Sequence, residues 1–289
     1  MKITLKAPAK VNFFLEIKSK RKDKYHNLES IMQTVSLYDD LCFELLEKEI
    51  LFECNDKSIL AVDKNIVCKA IKYIKEYYDI DKGIKVCLKK NIPLMAGLGG
   101  GSSDAATTIK ALVMLWGIKT TKNELLKIAV KLGADVPFFL NGGTALCRGI
   151  GEIITPLKDV GKLNIIIVNP RFSIPTSSVY KKIKWPLLNQ KKVSTIEKII
   201  YNGLFNTKEA FKNCFNRLEE FVLPYYPKIV EIKKVLNRFG YITLMSGSGS
   251  TIFGISDSII KIKQLQSELS KYKCKIWFVT TTKACSIKI

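Results

Sequence analysis

Four glycines fall within five positions, Gly97, Gly99, Gly100 and Gly101, and Ser102-Ser103-Asp104-Ala105-Ala106 follows directly. That pattern can hold an anion. Without Cβ atoms, successive peptide N–H groups converge on a phosphate, and a helix beginning near Ser102 adds unpaired N–H groups and the positive end of its dipole. A flexible linker is the competing reading. The loop is bracketed by a strand with Pro93 and by an Ala-rich helix, so polyphosphate binding ranks above it. The kind of site narrows by elimination. Walker A requires a lysine after its last glycine, where this chain has Ser102. A dinucleotide fingerprint started at Gly97 would need glycine at position 102. The His-Arg-Asp and Asp-Phe-Gly signatures of protein kinases are missing, since the single histidine is His26, in Tyr25-His26-Asn27. One histidine also removes multi-histidine metal sites and most Ser/His/Asp triads. The 8 cysteines include no Cys-x-x-Cys. They read as small buried hydrophobes in a reducing compartment.

The elements that must position this loop follow from periodicity. Residues 2–18 read as two strands around a polar break at Pro8-Ala9-Lys10, and residues 30–54 as further strands with a turn at Tyr38-Asp39-Asp40. Helical spacing from Asp63, the expected N-cap, to Tyr78 puts Ile66, Ala70, Ile71 and Ile74 on one face. A short strand at Gly83–Leu88 leads to the glycine loop and a helix to about Trp116. A second helix, from Lys122 to Leu132, stops at Gly133, a natural C′ glycine. The turn at Val160-Gly161-Lys162 suggests a boundary, giving domains 1–160 and 161–289. The second half reads as helices at 194–202, 207–222, 226–238 and 258–271 with strands at 163–168, 241–245, 251–256 and 275–280, an α+β layer with a mostly antiparallel sheet. Its own glycine loop is Ser246-Gly247-Ser248-Gly249.

The 289 residues carry 47 Lys+Arg against 26 Asp+Glu, a formal charge of +21. Such a balance raises nucleic acid or an anionic membrane as partners. Only five of the basic residues are Arg, however, and 42 are Lys, whereas phosphate and base readout favours the arginine fork. The excess also lies away from the glycine loop, with residues 1–160 at +6 and residues 161–289 at +15. A Lys-biased surface is the better reading, without nucleic acid or membrane. The N-terminus lacks the apolar core of a signal peptide, and no apolar run reaches the roughly 20 residues of a membrane helix, so the expected location is cytoplasmic.

Three ordered motifs, Pro8-Ala9-Lys10-Val11-Asn12, the loop Pro93 to Ala106 and Ser246-Gly-Ser-Gly249, carry a resemblance, and its five specific matches are Pro8-Ala-Lys-Val-Asn-Phe-Phe-Leu-Glu16, Tyr25-His26, Gly97 to Ala106, Gly133-Ala-Asp-Val-Pro-Phe-Phe139 and Ser173-Ile-Pro-Thr176. They resemble the GHMP kinases, small-molecule kinases that bind ATP through a glycine loop unrelated to Walker A. The resemblance implies a two-domain α+β fold, an N-terminal domain like the second domain of ribosomal protein S5 and a ferredoxin-like C-terminal domain. It implies ATP with Mg²⁺, and phosphorylation of the 2-hydroxyl of 4-diphosphocytidyl-2-C-methyl-D-erythritol in the non-mevalonate isoprenoid pathway. Another GHMP acceptor (homoserine, mevalonate or a sugar) stays open beside it, as does a basic nucleic-acid-binding protein. One departure stands in Asn216-Arg217-Leu218-Glu219, where the family usually has an acid at the position of Arg217.

The roles implied are these. Pro93, Leu94, Met95, Ala96, Gly97, Leu98, Gly99, Gly100, Gly101, Ser102 and Ser103 bind ATP. Asp135 is the base and Lys10 its partner, because transfer to an alcohol needs a proton acceptor and positive charge near the γ-phosphate. By spacing alone, Asp135 is a turn aspartate capping its own backbone, and Lys10 an edge-strand lysine reaching to water. Asn12, Tyr25, His26, Thr176 and Tyr180 hold the acceptor, the aromatic rings offering faces to cytosine. Ser102 and Ser103 have a second explanation as N-cap residues, and Asp104 as a first-turn acid. Ligands of the metal and the oligomeric state are not specified by these motifs.

Overall fold

A computed structural model describes residues 1–59, 65–187, 189–256 and 262–284. The first half contains β1 (Lys2–Lys20), β2 (His26–Leu46), β3 (Ile50–Cys54), α1 (Ile66–Tyr78) and β4 (Gly83–Lys89). It continues with α2 (Gly100–Trp116), α3 (Lys122–Leu132), α4 (Val136–Asn141), β5 (Thr144–Gly149) and β6 (Ile153–Pro156). The second half has β7 (Asn164–Asn169), α5 (Thr176–Lys181), α6 (Ser194–Tyr201), α7 (Lys208–Phe211), β8 (Phe215–Asn216) and α8 (Glu219–Val222). It ends with α9 (Pro227–Arg238), β9 (Ile242–Met245), β10 (Ile252–Ile255), α10 (Ile262–Ser270) and β11 (Lys275–Thr280). Among the described residues no helix is long and apolar enough to cross a membrane.

Two sheets organise these elements. One runs β3-β4-β2-β1-β8, with β5 paired to β2 and β6 to β5; the other is antiparallel, in the order β11-β7-β10-β9. The α+β class and the antiparallel second sheet match the sequence expectation. Several local expectations do not. Residues 2–18 are one strand, not two: the ladder with β2 passes Pro8-Ala9 by a register shift, and further shifts fall between Asn12 and Phe14 and between Ile17 and Ser19. A bulge absorbs an extra residue without ending the pairing. Tyr38-Asp39-Asp40 lies inside β2, paired with Pro8, Ala7 and Lys6, instead of turning. Asp39 tolerates that position because its buried carboxylate accepts the Asn91 and Ile92 N–H groups at 2.6 and 2.9 Å and pairs with Lys90.

Asp63, the expected cap of α1, falls outside the described residues, and Asn65 accepts the Val67 N–H at 2.8 Å as the N-cap. Gly133 has φ 166°, extended backbone open to any residue, so no left-handed conformation is required there. The expected helix at 207–222 is broken into α7, β8 and α8 because Phe215 and Asn216 pair with Phe14 and Leu15 of β1. Of the expected helix at 258–271, residues 258–261 lie outside the described residues. Among the described cysteines only Cys68 and Cys147 are fully buried; the others are partly exposed, contrary to the reading of all as core.

The core explains which way the chemistry points. Side chains alternate along a strand. Ala9, Val11 and Phe13 of β1 face a buried cluster shared with Ile165, Ile167, Phe205, Phe211 and Phe253 of the second half. Phe13 alone approaches the Phe205 ring at 4.9 Å and Phe253 at 6.3 Å. Each such ring removed from water contributes about 1.5–3 kcal/mol. With that face committed, Lys10 and Asn12 are forced to the other side, toward α2 and the cavity.

Candidate active site

That cavity, of about 1290 Å³, is lined by residues of both halves of the chain. It exceeds the roughly 300–1,000 Å³ of a single small-ligand site, so two substrates fit side by side. One end is the glycine loop. Gly97 and Gly99 have φ +77° and +71°, and a Cβ on Gly97 would stand 2.0 Å from the Ser246 carbonyl oxygen. The two glycine loops therefore touch, and the Ser246 hydroxyl donates to the Gly97 carbonyl at 2.8 Å. The helix starts earlier than its serines suggest: Gly99 is the N-cap, without a side-chain cap bond, and Gly100 the first helical residue. Ser102 and Ser103 are thus not caps. Ser102 lines the cavity, whereas the Ser103 hydroxyl is buried without a partner. Of the loop residues, Pro93 to Gly97 and Gly99 to Ser102 line the cavity, Leu98 is core, and Leu94 and Met95 are exposed above it. The N–H groups at a helix start have no partner within the helix, so they remain available to phosphate oxygens.

Lys10 and Asp135 meet beside this loop. Lys10 is 4% exposed, its Nζ is 3.9 Å from Asp135 Oδ2, and it donates to Asn12 Oδ1 at 2.7 Å. The edge-strand reading fails, since the ammonium does not reach water. Burial lowers its pKa, against the pull of Asp135. Asp135 is the N-cap of α4 but makes no side-chain cap hydrogen bond, so the carboxylate is not spent on its own backbone. It stands partly exposed and faces the cavity. Asn12 is fully buried: it accepts the Gly247 N–H at 3.0 Å and donates to Ser30 Oγ at 2.8 Å, tying Lys10 to the second glycine loop.

At the opposite end, His26 is flanked by Tyr180, with ring centroids 5.1 Å apart, and by Trp185, stacked at 5.9 Å and 11°. Burial, with Lys20 nearby, lowers the His26 pKa, favouring neutral imidazole. Burial pushes the Tyr180 phenol up. Tyr25 is 60% exposed at the rim, and Thr176 Oγ1 sits 2.8 Å from Ser248 Oγ. All five expected acceptor residues line the one cavity.

Sequence reading missed four residues. Trp185 lacks any motif, although an aromatic residue shortly after Tyr180 was a usable signal. Gly247 and Ser248 line the cavity from a loop recognised only as a pattern. Lys90 lies under the loop, 3.2 Å from where a Gly100 Cβ would be, paired with Asp39 and with Asp104 at 2.8 Å. Burial pushes the Asp104 carboxyl up to about 8, with the neighbouring Asp39 adding to it and Lys90 opposing. Asp104 is thus a buried partner of Lys90, not a solvated first-turn acid. Among the described residues no three His, Cys, Asp or Glu side chains are grouped to hold a metal ion.

Comparison with known proteins bears on this geometry. The family described as GHMP kinases N terminal domain matches residues 65–143, and GHMP kinases C terminal matches residues 202–274. A 4-diphosphocytidyl-2-C-methyl-D-erythritol kinase of Clostridium beijerinckii is 40% identical over 281 residues, 96% of this chain and 99% of that protein. One of Thermoanaerobacter pseudethanolicus is 40% identical over 285 residues, covering 97% and 96%. The crystal structure of a 4-(cytidine 5'-diphospho)-2C-methyl-D-erythritol kinase superposes with TM-score 0.80 at 31% identity, covering 96% of this chain and 99% of that one. A homoserine kinase of Cytophaga hutchinsonii, at 19% identity and TM-score 0.74, shares the fold.

Proposed function

Since the chain belongs to the GHMP kinases, among the 4-diphosphocytidyl-2-C-methyl-D-erythritol kinases, we propose that it transfers the γ-phosphoryl group of ATP to the 2-hydroxyl of 4-diphosphocytidyl-2-C-methyl-D-erythritol. The observation that carries the reading is the Lys10–Asp135 pair, 3.9 Å apart, set between a glycine loop and an aromatic recess. ATP lies with its phosphates on the N–H groups of Gly97 to Ser102. The cytosine lies in the recess of Tyr25, His26, Tyr180 and Trp185, with Thr176 beside it, and places its polyol over Asp135. We assign residues 1–160 to the catalytic and ATP-binding domain and 161–289 to the domain that closes the acceptor end.

Asp135 takes the proton of the attacking hydroxyl as the new P–O bond forms. Lys10 orients that carboxylate and offsets charge on the attacking and transferred oxygens, and burial makes this charge stronger than it would be in water. Asn12 fixes the rotamer of Lys10. Mg²⁺ bound with ATP would neutralise its phosphates, Ser102 being the side chain that would hold it and phosphate and water supplying most ligands.

The test is ADP release with the cytidylated alcohol, measured against homoserine, mevalonate and plain methylerythritol. Turnover confined to the cytidylated alcohol, with Asp135→Asn lowering kcat by about 10²-fold or more and leaving ATP affinity unchanged, is the expected result. Preference for an uncytidylated acceptor refutes the substrate, and near-normal kcat in Asp135→Asn refutes the base.

A further inference from the structure

We propose that Arg217 is a positioning residue for the acceptor: clamped on Glu16, it pins the segment around residues 189–191 to β1 and thereby sets where Trp185 stands against His26. The inference rests on the acceptor assignment above.

Arg217 is 4% exposed and Glu16, in mid-β1, is fully buried. Their contact is a two-pronged fork, Nε to Oε1 at 2.8 Å and Nη2 to Oε2 at 2.7 Å. Such a fork fixes orientation as well as distance, which a lysine does not do. The same groups reach outward. Nη2 also donates to the Asn189 carbonyl at 3.0 Å, and Glu16 Oε2 accepts the Lys191 N–H at 2.7 Å. Gln190, between them, donates to the Ile17 and Lys18 carbonyls at 3.2 and 3.1 Å. Three consecutive residues are therefore moored to β1, and two of those moorings pass through the ion pair. Trp185 enters the cavity only four residues before Asn189, and its indole N–H is buried without a partner. Trp185 and Leu187 also pack against the apolar core of the second half, and the pair adds directional hydrogen bonds that fix where the chain after them runs. An acid at 217 would instead set two carboxylates together in a dry site, so Arg217 and Glu16 function as a unit.

Neither residue touches the cavity chemistry, so their loss acts on acceptor binding and leaves phosphoryl transfer intact. Arg217→Met alone strands a buried charge and is liable to unfold. The decisive variant is the double substitution E16M/R217M, which removes both charges and restores apolar packing while leaving the Asn189 carbonyl and Lys191 N–H unmoored. With purified full-length protein we expect KM for the cytidylated alcohol to rise about tenfold, with kcat and the KM for ATP within about twofold. Acrylamide quenching of tryptophan emission should increase, and the increase should vanish in a Trp185→Phe background. A purely structural role predicts instead that the double variant, once folded, has wild-type KM and quenching, and that result overturns the proposal. Wild-type protein inactive on the cytidylated alcohol overturns the acceptor assignment, whereas active wild type with an unchanged double variant overturns the role of Arg217 alone.

Discussion

Replacing Lys10 by Met removes one charge and little volume from the centre of the site. Two unit charges 3.9 Å apart interact by about 4 kcal/mol at an effective dielectric constant of ~20. With the lysine side chain 5% exposed, screening by water is weak on its side of the pair. Part of that energy is returned on substitution, because partly exposed Asp135 is then solvated by water. Stabilisation of the attacking and transferred oxygens is lost outright. The net loss in the transition state is about 2–4 kcal/mol, equivalent to a ~30- to 1000-fold fall in kcat. The fold should survive: Asn12 Oδ1 keeps the Gly247 N–H, and partly exposed Asp135 keeps water. Steady-state ADP release at saturating ATP and acceptor reads the effect directly. Since burial lowers the Lys10 pKa, wild-type kcat should decline along an alkaline limb starting below the ordinary lysine value of 10.5, and Lys10→Met should lack that limb. A kcat within about threefold of wild type refutes the electrostatic argument, and a change confined to KM would make Lys10 a binding residue.

The glycine loops give a second contrast. Gly97→Ala adds a Cβ 2.0 Å from the Ser246 carbonyl at a φ of +77°; strain alone costs about 1–3 kcal/mol, and the loops must also separate. We expect the ATP KM to rise more than about tenfold, while Gly101→Ala, whose Cβ meets only Ile66 at 3.7 Å, stays within about threefold; equal effects would refute the contact argument. Asp104, pushed up to about 8, holds a proton in the folded chain that it loses near pH 3.9 when unfolded. Its contribution is complete below about pH 3.9 and is lost as pH rises through about 8. Asp104→Asn stays neutral throughout, so the difference in Tm, variant minus wild type, should grow between about pH 5 and 8.5, and parallel curves by scanning calorimetry would count against this account.

Much of this protein is legible before folding is considered, and the reasons are local. Gly97 and Gly99 announce their left-handed backbone because only glycine takes it without strain. The apolar spacing of α1 and the continuous apolar run of β7 announce their buried faces. Ordered motifs place the chain in its family. Other features arise only where distant segments meet. Tyr38-Asp39-Asp40 has turn chemistry, yet β1 and β4 on either side hold it extended and Lys90 offsets its charge. The same competition broke the helix expected at 207–222, since Phe215 and Asn216 gain more as partners of β1. Asp135 looked like a capping residue, and packing of α4 turned its carboxylate to the cavity instead. Glu16 with Arg217, and His26 with Trp185, are juxtapositions of segments far apart in the sequence. Residue type and local spacing determined the loop, the elements and the family. The charge pairs and the aromatic recess were decided by the shared core around Phe13, which sets the sheets against each other and directs Lys10 and Asn12 to the opposite face.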